Sequence, residues 1–553
     1  MADRPGVRLS DLGVSPPRPR PPERGRPWLV PVIIVASLLA ATVVWRVAEG
    51  GGEGTVGSAG EPPGDAGGGD GAGSGAGDEL GATTLATLPP FEGWVNPASS
   101  GRMWSDTVPG ILTFRGNPTR SFYGLGPVPT RPQVLWTHPD PGEGGMCGTS
   151  TDGSGTSTWC GTGWTGQPAV WEAADGRTWV AFGAYDYGVH WLDYRTGAEL
   201  LPTFRTGDII KGSVTVDPDG FPLLYTGSRD DNYRVIAMDR ATPTELWRIN
   251  AEDVSPTKWN NDWDGSGLVI DDYLFEGGEN SQFHIVKLNR GYGPDGRVTV
   301  DPELVFHTPG WDDELLADIG DSQVSIESSV TITGNTVYFA NSGGLVQGWD
   351  ISGLTEGIEP TRVFRFWTGD DTDATIVADE EGYLYVASEY ERGLPRAREV
   401  GQLMKLDPRR PQNPVVWSVR DIEGYKSGFW ATPAIWRDTV YAATNGGRVM
   451  GIDRASGQVR WEKNLGSQTW QSPVVVDDVL IMGDCEGNLN AYDVRDTRVD
   501  PPLLWTVKLE GCIESTPAVW KGRIFVGTRA GTFYAIGDPD PGAAPVAPGT
   551  TPG

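Results

Sequence analysis

The sequence predicts an all-β fold, an eight-bladed β-propeller closed by a strand from its own N-terminal side, and three observations carry that expectation. A four-strand pattern of about 40 residues recurs toward the C-terminus. Its last copy stops one strand short. Ahead of the first copy stands an orphan, PQVLWTHP at residues 132–139, which alternates apolar residues with no strand before it to pair with.

The repeat is plainest in FWATPAIWRDTVYAATNGGRVMGIDRASGQVRWEK, residues 429–463, where the turn signals RD, NGG and RASG separate four short apolar runs. TWQSPVVVDDVLIMGDCEGNLNAYDVRDTRVDPPLLWTV follows the same plan. Third strands end on Asp or a relative at Asp193, Asp239, Asn289, Asp350, Asp407, Asp453 and Asp493, whose side chains suit the turn that follows. Fourth strands carry an aromatic ring, Trp247, Trp367, Trp417, Trp461 and Trp505 with Phe204 and Phe306 in two blades, expected to pack between neighbouring blades. First strands start near Gly166, Gly212, Gly265, Ser328, Thr372, Ala431, Gln471 and Ser515, which makes eight blades; seven would result if one long unit is misread. The final unit, ESTPAVWKGRIFVGTRAGTFYAIG, has three strands, so residues 134–138 are assigned as its fourth. The ring then has no open edge. Residues 291–301 and 393–400 read as loop insertions.

The propeller is expected at 110–538 of a 553-residue chain. Residues 1–27 hold six Arg against three acids among many Pro, a disordered basic tail placed in the cytoplasm. The uncharged run WLVPVIIVASLLAATVVW follows, and eighteen helical residues span about 27 Å, so residues 28–46 are expected to be an uncleaved transmembrane anchor. A cleaved secretory signal is the rival, but no A-x-A site follows. Residues 47–100 read as a Gly-rich flexible linker and 539–553 as a disordered tail. The propeller would therefore lie outside the cell membrane. Its 73 Asp and Glu against 44 Lys and Arg, a net −29, argue against nucleic acid as a partner.

Four cysteines all follow the apolar run. The expected disulfides are Cys147 with Cys160 and Cys485 with Cys512, although sequence leaves the other pairings open. Zinc is disfavoured, since no CxxC occurs and the four His are scattered.

TVYAATNGGRVMGIDRASGQVRWEK and RIFVGTRAGTFYAIG resemble the repeat of quinoprotein-type (PQQ-like) propellers, and FRGNPTRSFYG resembles their N-terminal lead-in. That family includes quinone-dependent alcohol and sugar dehydrogenases, and also non-enzymatic scaffolds such as the outer-membrane assembly lipoprotein of the BAM complex. The resemblance thus implies a fold and leaves activity open. The adjacent cysteines and CxxCH haem motif of the dehydrogenases do not occur here.

Equivalent positions at the starts of the first strands converge on the propeller axis. Three residues before Pro168, Val214, Gly267, Val330, Ala374, Pro433, Pro473 and Pro517 stand Thr165, Lys211, Asp264, Glu327, Asp371, Trp430, Trp470 and Glu514. Such a ring suits Ca²⁺ or a cationic ligand stacked on Trp; a solvated acidic channel mouth is the alternative. The resemblance implies Asp264, Glu327 and Asp371 as Ca²⁺ ligands and Lys211 as a contact to the anionic quinone, PQQ. In WNNDWDGSG, residues 259–267, the side chains Trp259, Asn261, Asp262 and Trp263 suit a partner, a glycan or a metal, or simply a packed turn. GDDTDA, residues 369–374, resembles half of a Ca²⁺ loop without its completing Glu. No GxSxG, GxxxxGK[ST] or HExxH appears.

The expected function is a membrane-tethered binding scaffold or sensor for an envelope protein, glycan or small ligand. The alternative is a PQQ- and Ca²⁺-dependent dehydrogenase using the axial ring.

Overall fold

The computed structural model describes residues 88–539 apart from 153–154, 164–165 and 423–426. The basic tail, the apolar run at 28–46 and the linker up to residue 87 lie outside these, as do Thr165 and the tail beyond residue 539. Among the described residues no helix is long and apolar enough to cross a membrane.

Eight antiparallel four-stranded blades follow one another around the ring. Blade 1 comprises Ala169–Glu172, Thr178–Gly183, Gly188–Asp193 and Glu199–Arg205. Blades 2 to 7 span 215–250, 268–309, 331–367, 377–419, 434–464 and 474–508. Blade 8 takes three strands from 518–537, and Gln133–His138 pairs antiparallel along Phe533–Gly537 as its outermost strand. The orphan therefore does close the ring. The insertion at 291–301 forms a small hairpin, and that at 393–400 contains the helix Pro395–Val400. Both expected disulfides form.

The third-strand Asp acts as expected. Asp193 accepts from the amides of Arg195 and Thr196, and Asp453 from those of Ala455 and Ser456. The turn glycine that follows is demanded by its neighbour. Gly457 has φ 75°, and a Cβ there would lie 2.6 Å from the indole of Trp417 in the preceding blade. That indole donates to the Arg454 carbonyl, as Trp136 of blade 8 donates to Tyr194 of blade 1.

Every fourth strand pairs through a bulge, which decides which ring is buried. One extra residue points outward, leaving Val305, Val363, Val416 and Leu504 exposed, and the next side chain turns in. In blade 4 that inward ring is Phe364, opposite Gly348, rather than the predicted Trp367, which ends the strand and bonds the Gly343 carbonyl. In blade 1 the equivalent residue is Leu201 rather than Phe204. The linker boundary also moves. From Trp94 the chain is packed, with that indole edge-on to Tyr273 and Phe275 and bonded to the Ile351 carbonyl.

Residues 110–125 plug one end of the central channel and touch all eight blades. Gly110 and Ile111 pair with Trp171 and Val170 of blade 1, and Gly124 and Leu125 pair with blade 8. Leu112, Pro118 and Thr119 offer carbonyls to the amides of Val216, Ile332 and Ala378, while Tyr123 Oη accepts from Ile435. Two fully buried arginines complete the set. Arg115 donates to the carbonyls of Pro433 and Pro473, and Arg120 to those of Ser266 and Val330. Both hold left-handed backbones, φ 58° and 59°. Burial lowers the Arg120 pKa to about 9, which leaves it charged at neutral pH.

Arg120→Ala is expected to destabilise the protein by about 3–5 kcal/mol in chemical denaturation, because the buried carbonyls of Phe114, Ser266 and Val330 lose a donor. Arg120→Lys should recover little, since an ammonium cannot fork between them. Deleting residues 133–138 should lower Tm sharply and promote aggregation through the bared edge of blade 8, whereas removing residues 47–77 should change Tm little.

Candidate functional site: the acidic channel mouth

The opposite end of the channel is built from two rings of side chains. In each blade an amide just after the second strand donates to a carbonyl just before the first. The pairs are Arg229 to Ile209, Glu279 to Asp262, Ser342 to Ser325, Glu389 to Asp371, Asn445 to Gly428, Cys485 to Gln468 and Arg529 to Cys512. This eightfold repeat sets the true register, with Tyr185 to Gly161 as the blade 1 version. One layer deeper, hydroxyls accept from amides of the neighbouring blade, Ser329 Oγ from Ser266 at 2.9 Å, Thr375 Oγ1 from Ser329 at 3.0 Å and Thr432 Oγ1 from Thr375 at 3.0 Å.

Both sets of bonds align Asp371 with Asp262 and Asp373 with Asp264. The blade 5 position equivalent to Lys211, Asp264 and Glu327 is therefore Asp373, two residues beyond the predicted Asp371, because GDDTDA lengthens the turn before the strand Val377–Ala378.

Blades 2 and 3 form an ion-pair cluster. Lys211 Nζ lies 2.6 Å from Asp264, 2.9 Å from Glu279 and 3.6 Å from Asp262, while Arg229 Nε is 2.6 Å from Asp262. Burial works against the lysine charge, and Asp264, Glu279 and Asp262 outweigh it, raising its pKa well above the usual value. Burial and then Glu279 push Asp262 up to about 7 against the pull of Lys211 and Arg229. Lys211 holds Glu279 low despite burial.

Blades 4 and 5 form an acidic arc. Glu327 accepts from Ser325 at 2.7 Å and Ser342 at 3.2 Å, and Ser342 also donates to Asp373 at 3.1 Å. Asp373 and Asp371 lie close enough to perturb each other. Burial first, and then neighbouring carboxyls, raise Glu327, Asp371 and Asp373 well above the carboxylate range. Arg392 approaches Asp370 and Asp371 only to 3.9 and 4.0 Å. Glu389 accepts from Asn445 at 2.7 Å, and Asn445 also takes the Trp430 amide. Trp430 stands edge-on to Trp470 with centroids 5.6 Å apart, so the acidic arc continues into an aromatic wall. Glu514 completes the ring, paired with Arg529 at 3.0 Å beneath Trp159 and Tyr185.

The loop at 259–267 divides its residues among separate tasks. Asp262 joins the ion pairs, Trp263 is buried against Tyr233 and His284, Trp259 is solvent-exposed and Asn261 reaches Glu252. Glu279, Asp373, Glu389, Arg229 and Arg392 are site residues that first-strand spacing missed. Arg229, Glu279 and Glu389 stand two residues beyond the end of a second strand, which is their signal, whereas Arg392 lies further along in blade 5 and follows no such spacing.

The Ca²⁺ set implied by the resemblance is divided by this geometry. Asp264 sits with Asp262 and Glu279, whose ligand oxygens lie within 4.8 Å of one another, but the Lys211 ammonium stands among them where a cation would bind. Glu327 and Asp371 belong to the other arc. An anionic quinone fits no better, because Lys211 and Arg229 are committed to carboxylates and the surrounding mouth is acidic.

Lys211→Met should cost about 3–5 kcal/mol in chemical denaturation, since it leaves buried Asp264 and Glu279 without a cation while Asp262 keeps Arg229. Adding Asp264→Asn should restore part of the loss, and a double-mutant cycle measures that coupling.

A family model described as outer membrane protein assembly factor BamB matches residues 407–500. Outer membrane protein assembly factor BamB of Moranella endobia (strain PCIT) is 29% identical over 102 residues, 18% of this chain and 25% of that protein. The chain thus spans about a quarter of the length of the curated relative it matches. Among solved structures, BamB from Moraxella catarrhalis superposes with TM-score 0.46 and 13% identity, covering 75% of this chain and 100% of that one. Quinohemoprotein alcohol dehydrogenase from Comamonas testosteroni gives TM-score 0.48 and 13% identity, covering 80% and 82%. The segment 407–500, which contains blade 6 and most of blade 7, is accordingly where this chain is similar to BamB.

Proposed function

We propose that the protein is a membrane-tethered, extracytoplasmic binding scaffold of the cell envelope whose channel mouth receives a cationic group of its ligand. The observation that carries this reading is the acidic arc of Glu327, Asp371, Asp373 and Glu389 running into the Trp430–Trp470 wall. Carboxyls crowded together in a buried arc gain most when a cation arrives, and indole faces add attraction for ammonium or guanidinium. Closure of the other channel end by residues 110–125 leaves this mouth as the face for recognition. The BamB-like repeats support a scaffold over a catalyst, as do the poor fit to an anionic quinone and the commitment of Lys211. The apolar run at 28–46 supports the tether.

Titration of the full-length protein with a lysine-rich peptide, followed by Trp fluorescence, tests the reading. Saturable binding should weaken at least tenfold in Asp373→Asn and in Trp430→Ala, and should fall with salt. Dye reduction after reconstitution with Ca²⁺ and PQQ would instead establish the dehydrogenase and overturn it.

The pH dependence follows from the raised carboxyls. Their folded pKa values exceed the unfolded ones, so their contribution to stability is greatest below about pH 4 and is lost as pH rises through the folded values, near 7 for Asp262. Raising pH from 6 to 8 should therefore lower Tm. The same change should tighten binding of the peptide by up to about tenfold per pH unit for each proton released, measured by calorimetry in buffers of different ionisation enthalpy.

A further inference from the structure

From the seam where the closing strand meets blade 1, we infer a transition-metal site formed by His138, His190 and Glu199. His138 is the last residue of the ring-closing strand, while His190 and Glu199 lie on the third and fourth strands of blade 1. Their ligand atoms all fall within 4.8 Å of one another. His138 Nε2 and His190 Nδ1 are 3.2 Å apart, close to the separation of about 3.3 Å that two imidazole nitrogens take on a tetrahedral Zn²⁺ with bonds of about 2.05 Å.

The surroundings add what a ligating histidine needs. His190 is buried, and its other nitrogen, Nε2, lies 3.1 Å from Asp186 Oδ1, the carboxylate partner that fixes the tautomer and aims Nδ1 at a metal. Asp186 is itself anchored by Arg205 at 2.8 Å. Phe182 stacks on His190 and on Phe533 of blade 8, holding the imidazole plane against the seam. Glu199 is exposed, which leaves an approach for the ion and a fourth position for water. Two imidazoles and one carboxylate are a borderline donor set that selects Zn²⁺ or a neighbouring first-row dication over Ca²⁺ or Mg²⁺. A metal here would join the closing strand to the first blade and act as a bolt on the ring.

Co²⁺ added to the metal-free full-length protein reports both stoichiometry and geometry. The expected result is one ion per chain with visible bands of four- or five-coordinate Co²⁺, displaced by Zn²⁺, and a rise in Tm. His138→Gln and Glu199→Gln should abolish the bands or weaken binding by at least tenfold, and Asp186→Asn should weaken it by about 10–100-fold. If His190→Gln fails to fold, the surface variant Glu199→Gln still decides the matter. Absence of Co²⁺ bands in the wild-type protein, or binding unchanged in both His138→Gln and Glu199→Gln, overturns the site; the latter result would assign the ion elsewhere, such as the acidic mouth.

Discussion

The carbonyls that line the channel must all find donors, and the answer to that constraint shapes the molecule. The innermost strand of every blade has a free edge facing the axis, where a narrow channel offers little water. Residues 110–125 supply the partners, through strand pairing at blades 1 and 8 and through the forks of Arg115 and Arg120 at blades 3, 4, 6 and 7. The two buried guanidiniums spend their donors on backbone carbonyls, and Glu276 favours the charge on Arg120. One segment thus ties together blades that touch only their neighbours, and it leaves a channel with a sealed floor and one chemically distinct mouth.

At that mouth the charges fall into two regimes. Around Lys211 they are balanced by short ion pairs, a costly arrangement that persists because removal of one partner costs more than retention of the set. Across blades 4 and 5 the nearest cation is more distant, and burial and neighbouring carboxyls raise the acids well above the carboxylate range. The first regime pairs its charges internally, whereas the second adjoins the half-buried rings of Trp430 and Trp470.

Where sequence reasoning held and where it failed divides along the same physical line. The third-strand Asp closes its own turn at Asp193, Asp350, Asp407, Asp453 and Asp493, and the Cys pairs form as expected, whereas Asp239 accepts from Val298 of the inserted hairpin. Blade 4 misled because Trp367 outranks Phe364 as a marker, while a bulge decides which ring turns inward. Blade 5 misled because GDDTDA offers acidic residues at both alternate positions, and only hydrogen bonds between blades choose Asp373 over Asp371 for the inner ring. Glu279 and Glu389 were missed because a ring has contributions from two turns per blade, and spacing along first strands samples one.

Repeat period, blade number and the identity of the closing strand followed from the sequence alone, because strand periodicity and turn chemistry are written within a few residues and a missing strand can be counted. The tertiary structure alone decided which carboxyls meet a cation and which meet each other. It also decided that Arg115 and Arg120 lie in the channel and that His138 meets His190 across the closure. Those contacts join residues from separate blades, set by the twist, bulges and turn lengths of several strands at once, and no single stretch of the chain encodes their distance.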